Sequence, residues 1–312
     1  MSAAPRVASS RAELAALLAD RRGRPDRVGL VPTMGALHEG HASLMDVARQ
    51  AVGTGPVVAS IFVNPLQFGP QEDLDRYPRT LQADLEVCAA TGVDIVFTPT
   101  VEEVYPGGEP QVTLDPGPLA EILEGKTRPG HFRGVLVVVA KLFGLVRPEV
   151  AVFGQKDYQQ LTLIRRMATD LCMDIDVVGA ETVREPDGLA MSSRNRYLGA
   201  EQRQQAVGLS RALLAARAAA IEGAAAAVAA ARAELATWPA VEVDYLAVTD
   251  PSLEPLPAEV PAGTEGRVLV AARVGTTRLI DNMSIVLGSP AVGRDTLPGG
   301  ADRAVSSVEV HP

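Results

Sequence analysis

Short apolar runs alternate with helix-like segments through roughly the first 180 residues, and this alternation limits the possible folds more than any other feature. Each run is continuously apolar, as in VVASIFV at 57–63, which is typical of strands covered on both faces of a parallel sheet. The predicted strands are 28–31, 57–63, 94–97, 150–153 and 174–178, and the predicted helices include 44–51, 81–90, 135–146 and 158–169. Such alternation requires right-handed crossovers. The pattern therefore predicts an α/β fold with a doubly wound, Rossmann-like parallel sheet.

The pattern changes near Val183. An alanine-rich stretch at 201–236 is typical of helices, and three strand-like segments separated by Pro- and Gly-rich turns follow it. These features predict a smaller α+β domain with an antiparallel sheet. We therefore expect a first domain over 1–183, a second over 184–287, and a disordered tail over 288–312, which lacks a regular apolar pattern.

Composition and charge disfavour several classes of partner. The net charge of -9 disfavours a diffuse attraction to nucleic acid or to anionic membranes. No apolar stretch approaches the ~20 residues of a membrane helix, and the first residues lack the apolar core of a signal peptide. We expect a soluble, cytoplasmic protein with no nucleic-acid or membrane partner. Cys88 and Cys172 lie in apolar contexts without metal-ligand spacing, so buried thiols are expected.

Two histidines lie three residues apart in PTMGALHEGH, between a predicted strand and the helix that follows it. His38 and His41 can therefore face one ligand. The junction also offers free backbone N–H groups and the positive end of a helix dipole, which suit phosphate. A zinc protease site needs histidines four residues apart on a continuous helix, so this spacing and Gly40 disfavour zinc. The ordinary alternative for a lone turn histidine is a surface residue.

Three further polar turns carry groups that can bind an anion. One follows the strand at 150–153, and open α/β sheets bind ligands at the carboxyl ends of their strands. Another places two hydroxyls beside a guanidinium, which suits an anion. The residues are Gly154, Lys156, Asp157 and Gln160 in the first turn, Ser192, Ser193 and Arg194 in the second, and Arg128, His131 and Arg133 in the third. Each turn alone could be solvated surface, but four donor-rich turns in an acidic protein indicate a polyphosphate ligand.

Seven motifs resemble those of one enzyme family, in the same order across about residues 25–287. They are PTMGALHEGH, SIFVNPLQF, DLDRYPRTL, RPGHFRG, FGQKDYQQL, DGLAMSSRNRYL and TRLIDN. Together they closely resemble the pantothenate synthetase (pantoate:β-alanine ligase) family. The first motif also resembles the HxGH signature of the wider nucleotidylyltransferase superfamily. The visible departure is Gln155, where many family members carry Glu.

The resemblance implies an ATP-dependent ligase that condenses pantoate with β-alanine through a pantoyl adenylate, releasing AMP and pyrophosphate. His38, His41 and Lys156 are the implied catalytic residues. Mg²⁺ is expected to bridge the ATP phosphates without a metal site made by the protein alone. A homodimer is expected because the family is usually dimeric, and the second domain is expected to close over the ATP site. A plain nucleotidylyltransferase and a non-catalytic nucleotide-binding module are the alternatives.

The resemblance also implies ligand contacts for individual residues. ATP is expected to contact Met34, Gly35, Ala36, Leu37, His38, Glu39, Gly40, His41, Gly154, Gln155, Lys156, Asp157, Val183, Met191, Ser192, Ser193 and Arg194. Pantoate is expected to bind Gln67 and Gln160, since each amide offers both a donor and an acceptor. Asn64 is expected to assist with β-alanine. The expected apolar walls for the dimethyl group of pantoate are Pro32, Met34 and Phe62.

Overall fold

The structure, a computed structural model, describes residues 4–19, 26–69, 74–257 and 259–288. The parallel strands are β1 (Arg6–Ala8), β2 (Gly29–Thr33), β3 (Val57–Ile61), β4 (Ile95–Phe97), β5 (Val150–Gly154) and β6 (Asp176–Ala180); the antiparallel strands are β7 (Val241–Thr249), β8 (Thr264–Val274) and β9 (Thr277–Leu287). The helices are α1 (Arg11–Ala19), α2 (Glu39–Val52), α3 (Leu81–Ala90), α4 (Val101–Val104), α5 (Leu123–Thr127), α6 (His131–Val146), α7 (Tyr158–Asp170), α8 (Ala200–Ala219) and α9 (Ala224–Leu235). No helix within the described ranges is long and apolar enough to cross a bilayer.

The six parallel strands lie in the order β1-β4-β3-β2-β5-β6, with helices on both faces. Helices α1, α6 and α7 cover one face, and α2 and α3 cover the other. Strand β5 shows why the runs are continuously apolar: Ala151 and Phe153 pack on the first face, while Val150 and Val152 pack on the second. The predicted doubly wound parallel sheet is confirmed.

Strands β2 and β5 form the topological switch point of this sheet. The chain proceeds from β2 toward one edge and from β5 toward the other, and the two strands pair only from Gly29 and Leu30 onto β5. Beyond Leu30 the strands separate, so the missing N–H of Pro32 removes no hydrogen bond to β5. Strand β2 therefore continues to Thr33, whereas the sequence predicted its end at Val31, before Pro32. Open α/β sheets bind ligands in such a crevice.

The second sheet is antiparallel, in the order β7-β8-β9, and helices α8 and α9 pack against it. Small side chains let these helices pack closely. Four alanines of α8 and α9 are fully buried, namely Ala212, Ala216, Ala227 and Ala231. This arrangement confirms the predicted smaller α+β unit, and the boundary at 183 and 184 stays a prediction. Of the predicted tail, residues 289–312 lie outside the described residues.

Two local expectations differ from the structure. The thiol of Cys88 is buried, and burial raises its pKa to about 12. Cys172 is exposed, so the prediction of a buried thiol there is wrong. It lies in the turn after α7 with φ at 52°, where the chain crosses the surface toward β6. Strand β1 was not predicted, because Arg6–Ala8 is too short to show a pattern and forms by pairing with β4.

Candidate active site

A cavity of about 230 Å³ opens at the switch point, where the turns after β2 and β5 meet. A larger cavity of about 690 Å³ adjoins it, lined by residues of the second sheet and by helices and turns that pack beside the first, and the two cavities share Lys156, Asp157 and Arg194. The predicted site residues that line the smaller cavity are Met34, His38, Gly40, His41, Asn64, Gln67, Gly154, Lys156, Asp157, Gln160, Val183, Met191, Ser192, Ser193 and Arg194.

His38 and His41 meet at the start of α2, as their spacing predicted. His38 is the N-cap residue, His41 lies in the first turn, and their ring centroids are 4.1 Å apart. The Nδ1 of His41 accepts the backbone N–H of His38 at 3.3 Å, and the Nδ1 of His38 accepts that of Gly40 at 3.1 Å. Because each Nδ1 is an acceptor, each neutral ring carries its proton on Nε2. Both imidazoles can therefore donate an Nε2–H to a ligand.

Gly40 allows the His38 ring to lie over the helix start. A β-carbon on Gly40 would lie only 2.9 Å from both Cε1 and Nδ1 of His38. Atoms cannot pack this closely, so any side chain at position 40 would displace the imidazole.

Burial and positive neighbours keep both imidazoles neutral in the free protein. Burial, followed by the charges of His38 and Lys156, lowers the pKa of His41 from 6.5 to about 3. Burial and Lys156 also lower the pKa of His38. At neutral pH both rings are therefore hydrogen-bond donors and not acids. A neutral His41 suits the donation of a hydrogen bond better than the donation of a proton.

The lowered pKa of His41 predicts a loss of stability in mild acid. The unfolded chain binds a proton at this histidine near pH 6.5, and the folded chain does so only near pH 3, so stability falls as the pH falls below 6.5. Replacing His41 with Gln removes this effect. Between pH 7 and pH 5, the free energy of unfolding of wild type should fall by about 2 kcal/mol relative to His41→Gln. Urea unfolding at both pH values measures the difference.

A suitable control for this measurement is Gln50→Ala, at an exposed position of α2. This variant should track wild type at both pH values. An equal acid sensitivity of wild type and His41→Gln would contradict the burial of a neutral ring.

The backbone N–H groups of the turn before α2 bind a buried carboxylate. Asp84 of α3 is 1% exposed and accepts the N–H groups of Ala36 at 3.1 Å and Leu37 at 2.8 Å, as well as the Thr80 hydroxyl at 3.1 Å. The expectation of free N–H groups at this junction is therefore wrong for Ala36 and Leu37. The predicted ATP ligands outside the lining of the smaller cavity are Gly35, Ala36, Leu37, Glu39 and Gln155.

Positive charge gathers at the cavity. The Nζ of Lys156 lies 3.7 Å from a carboxylate oxygen of Asp157, and Arg128 and Arg194 also line the cavity. Burial alone would raise the pKa of Asp157, but the charges of Lys156, Arg194 and other positive neighbours outweigh it and lower the pKa. The cavity is lined by the cations Arg128, Lys156 and Arg194 and by the carboxylates of Asp157 and Glu181, so cations outnumber carboxylates, which suits an anionic ligand.

Asn64 and His131 position Gln67 at the cavity. Asn64 is 1% exposed and donates to the side-chain oxygen of Gln67 at 3.2 Å and to the carbonyl of Gly134 at 3.1 Å. Its own side-chain oxygen accepts the Tyr105 hydroxyl at 2.7 Å. The Nδ1 of His131 lies 2.8 Å from the carbonyl oxygen of Gln67 and must donate to it, because a carbonyl only accepts. The contact between Asn64 and substrate stays a prediction.

One wall of the cavity is apolar. Pro32, Met34 and Phe62 line it as expected, and α6 adds residues that sequence reasoning missed. Helix α6 is apolar on nearly every side, so its sequence does not show which face meets the cavity. Arg133 is exposed, because it lies two residues beyond His131 and points away from it. The additional wall residues are Val135, Val138, Val139 and Leu142.

An ion pair joins the second sheet to helix α5 of the first unit. Arg278 of β9 donates to both carboxylate oxygens of Glu124 in α5, at 2.7 and 2.8 Å, and the Tyr245 hydroxyl donates to the same carboxylate at 2.9 Å. The sequence identified Arg278 only as part of the TRLIDN motif. Its partner lies 154 residues away, so no local pattern could have found it.

Comparison with known proteins identifies the family of this chain. The family model described as Pantoate-beta-alanine ligase matches residues 6–284. The chain belongs to the pantoate-β-alanine ligase family. The resemblance found in the motifs is thereby confirmed, and this family member is a ligase.

Relatives of this family member match over most of its length. A pantothenate synthetase from Nocardioides sp. is 66% identical over 308 residues, covering 97% of this chain and 92% of that protein. The crystal structure of pantothenate synthetase from Thermus thermophilus is 50% identical with a TM-score of 0.81, over 89% of this chain and 98% of that one. A ligase structure from Francisella tularensis, described as complexed with "Beta-gamma ATP and Beta-alanine", is 32% identical with a TM-score of 0.73, over 90% of this chain and 97% of that one.

Proposed function

We propose that this ligase joins pantoate to β-alanine in two steps through a pantoyl adenylate. In the first step a carboxylate oxygen of pantoate attacks the α-phosphorus of ATP, and pyrophosphate leaves with the electrons of the broken P–O bond. In the second step the amine of β-alanine attacks the acyl carbon, AMP leaves, and the amine loses a proton. The observation that carries the proposal is one cavity lined by His38, His41 and Lys156 beside an apolar wall with Gln67 and Gln160.

The charges of the cavity suit the first step. A carboxylate that attacks a polyphosphate is repelled by it, so the enzyme must neutralise and align the phosphates. Lys156 and Arg194 supply positive charge, and the Nε2–H groups of His38 and His41 supply donors for the leaving group. Ser192 and Ser193 add hydroxyls at the same cavity. The ligands named for the Francisella structure, ATP and β-alanine, support this assignment.

The apolar wall with two amides suits pantoate. The geminal methyl groups fit against Phe62 and the valines of α6, and the hydroxyls and carboxylate fit amide donors and acceptors. The Nε2 of Gln67 lies 3.0 Å from the sulfur of Met34, which is a weak acceptor that a substrate oxygen can replace. In this proposal Asn64 holds Gln67 and also assists with β-alanine.

Mg²⁺ enters this proposal together with ATP. Among the described residues, no group of three or more His, Cys, Asp or Glu side chains could hold a metal ion. The residues present do not fit a metal site made by the protein alone, and we assign no step to the ion. Asp157 and Glu181 both line the cavity, and the positive neighbours of Asp157 lower its pKa and keep it ionised.

The homodimer, the cytoplasmic location and the closing motion of the second unit belong to the same proposal. The homodimer and the closing motion follow from the resemblance to the family, and the cytoplasmic location follows from the apolar pattern of the sequence. Light scattering of the purified protein tests the dimer, since a species of twice the chain mass of 32.7 kDa is expected.

Isotope exchange tests the adenylate step directly. With pantoate present and β-alanine absent, the enzyme should exchange labelled pyrophosphate into ATP, because the first step is then reversible at a closed site. AMP and pyrophosphate should be the products of the complete reaction. Formation of ADP and phosphate, or exchange that requires β-alanine, would contradict the two-step adenylate mechanism. An acyl phosphate intermediate would release ADP instead.

Removing either amide should weaken pantoate binding selectively. For Gln67→Ala and Gln160→Ala we expect the KM for pantoate to rise about tenfold or more, while the KM for ATP changes less than about twofold, because each amide makes hydrogen bonds to the acid alone. Initial rates at varied pantoate and varied ATP separate the two constants. Equal increases in both would overturn the assignment of these amides to pantoate.

A further inference from the structure

Asn282 of β9 binds the backbone of the turn that carries Lys156. Its side-chain amide donates to the carbonyl oxygen of Gln155 at 2.9 Å and to that of Lys156 at 2.8 Å, and the residue is 4% exposed. These are successive carbonyls of the 3₁₀ turn Gln155–Asp157, which lies directly before α7. Two hydrogen bonds from one buried amide fix the orientation of this turn relative to β9.

Asn282 is itself held on two sides. Its side-chain oxygen accepts a hydrogen bond from the Nη1 of Arg267, and its backbone N–H donates to the carboxylate of Asp281 at 2.8 Å. The Arg267 guanidinium lies 3.6 Å from the ring centroid of Tyr158, the first residue of α7. The amide cannot turn away without leaving buried polar groups unpaired, which would be costly.

The neighbouring residue, Asp281, binds the other loop of the cavity. Its carboxylate is 1% exposed and accepts from both terminal nitrogens of Arg184, at 2.6 and 2.9 Å. Arg184 begins a hairpin in which the N–H of Met191 donates to the carbonyl of Val183 at 2.9 Å. This hairpin continues directly into 192–194, the segment that lines the cavity with two serines and an arginine.

We propose that Asn282 and Asp281 are positioning residues for the nucleotide, Asn282 through Lys156 and Asp281 through residues 192–194. The inference rests on the proposed function, in which those groups bind the phosphates of ATP. Both residues line the larger cavity and neither lines the smaller one, and each contacts the phosphate-binding groups through the loop that it binds. Displacing a binding group by about 1 Å is enough to impair a site of this kind. Loosening either loop should therefore weaken ATP binding more than pantoate binding.

A double-mutant cycle tests the action of Asn282 through Lys156. Calorimetry of ATP with Mg²⁺ and without pantoate gives the Kd for wild type, Lys156→Ala, Asn282→Ala and the double variant. We expect increases in Kd of roughly tenfold for Lys156→Ala and roughly fivefold for Asn282→Ala, and little further increase in the double variant, because the second change removes support for a side chain that is already gone. The KM for pantoate should change less than about twofold in Asn282→Ala.

The outcomes distinguish an error in the proposed function of Lys156 from an error in the positioning role of Asn282. If Lys156→Ala leaves the Kd for ATP unchanged, the proposed function of Lys156 is wrong. If Lys156→Ala weakens ATP but Asn282→Ala does not, or if the two effects multiply in full, the positioning role of Asn282 is wrong. Should Asn282→Ala fail to fold, Asn282→Ser serves in its place, since a hydroxyl donates to only one of the two carbonyls.

A second double-mutant cycle combines Asp281→Asn with Arg194→Ala and tests the role of Asp281. Asparagine has the shape of aspartate but cannot pair with both nitrogens of Arg184. We therefore again expect a higher Kd for ATP and a less than multiplicative effect in the double variant.

The matched control is Ile285→Val. It trims a buried residue of β9 that packs in the core between the second sheet and helices α8 and α9, and not on the loops. The control should lower the unfolding temperature slightly and leave the Kd for ATP unchanged; a weaker Kd in the control would show that any loosening of β9 suffices and would overturn the specific roles of Asp281 and Asn282.

Discussion

Replacing His41 with alanine is expected to lower kcat roughly a hundredfold or more, with the fold retained. The Nε2–H of His41 is a neutral donor held by the bond between its Nδ1 and the His38 backbone, and losing one such donor to a developing charge typically costs ~3 kcal/mol of transition-state stabilisation. The same loss is expected for His38→Ala and for Lys156→Ala. Steady-state rates of AMP formation, with circular dichroism of each variant, measure the effect.

The side chain of glutamine distinguishes donation of a hydrogen bond from donation of a proton. Its amide nitrogen can occupy a place near the imidazole Nε2 and keep an N–H donor there, so His41→Gln should retain more activity than His41→Ala. Gln50→Ala, at an exposed position of the same helix, should keep wild-type activity. Near wild-type rates in His41→Ala would remove this residue from the site, and equal inactivity of His41→Gln and His41→Ala would argue for proton transfer.

Replacing Asp84 with asparagine is expected to damage both stability and activity. The carboxylate accepts the N–H groups of Ala36 and Leu37, and an amide in its place would direct its own N–H₂ toward one of these donors. A buried backbone donor left unpaired costs about 1–3 kcal/mol. The turn also contains Ala36 at φ 52°, in the left-handed region, which the surrounding bonds must maintain. We expect the unfolding temperature to fall by about 5 °C and kcat to fall by at least about tenfold, because His38 follows directly.

Asp94 offers a matched control for this experiment. Its carboxylate also accepts a backbone N–H, that of Val57 at 2.9 Å. Val57 lies at the amino end of β3, whereas the cavity lies at the carboxyl ends of the strands. Asp94→Asn should lower the unfolding temperature and leave kcat unchanged. If Asp84→Asn keeps full kcat despite lower stability, Asp84 supports the fold only and does not position the histidines.

Much of the local structure could be predicted from the sequence, because the relevant interactions are short in range. Helix α3, for example, was predicted over its full extent, 81–90. The spacing of His38 and His41 alone predicted that the two rings lie together, as the structure shows. The boundary of β2 was wrong because the effect of Pro32 depends on whether β5 is still paired at that point, which the sequence of β2 cannot show.

The sequence by itself determined the types of elements, the chemical groups available to the site and the order of its motifs. Only the tertiary structure decided which groups are free to bind a ligand. The N–H groups of Ala36 and Leu37 follow a phosphate-binding pattern, yet a carboxylate 48 residues from Ala36 occupies them. Asn282 contacts the carbonyl of Lys156 across 126 residues. Periodicity in a sequence reports neighbours within about four positions along a helix or strand, whereas the crevice between β2 and β5 and the contacts of β9 arise from chain crossings that bring distant residues together.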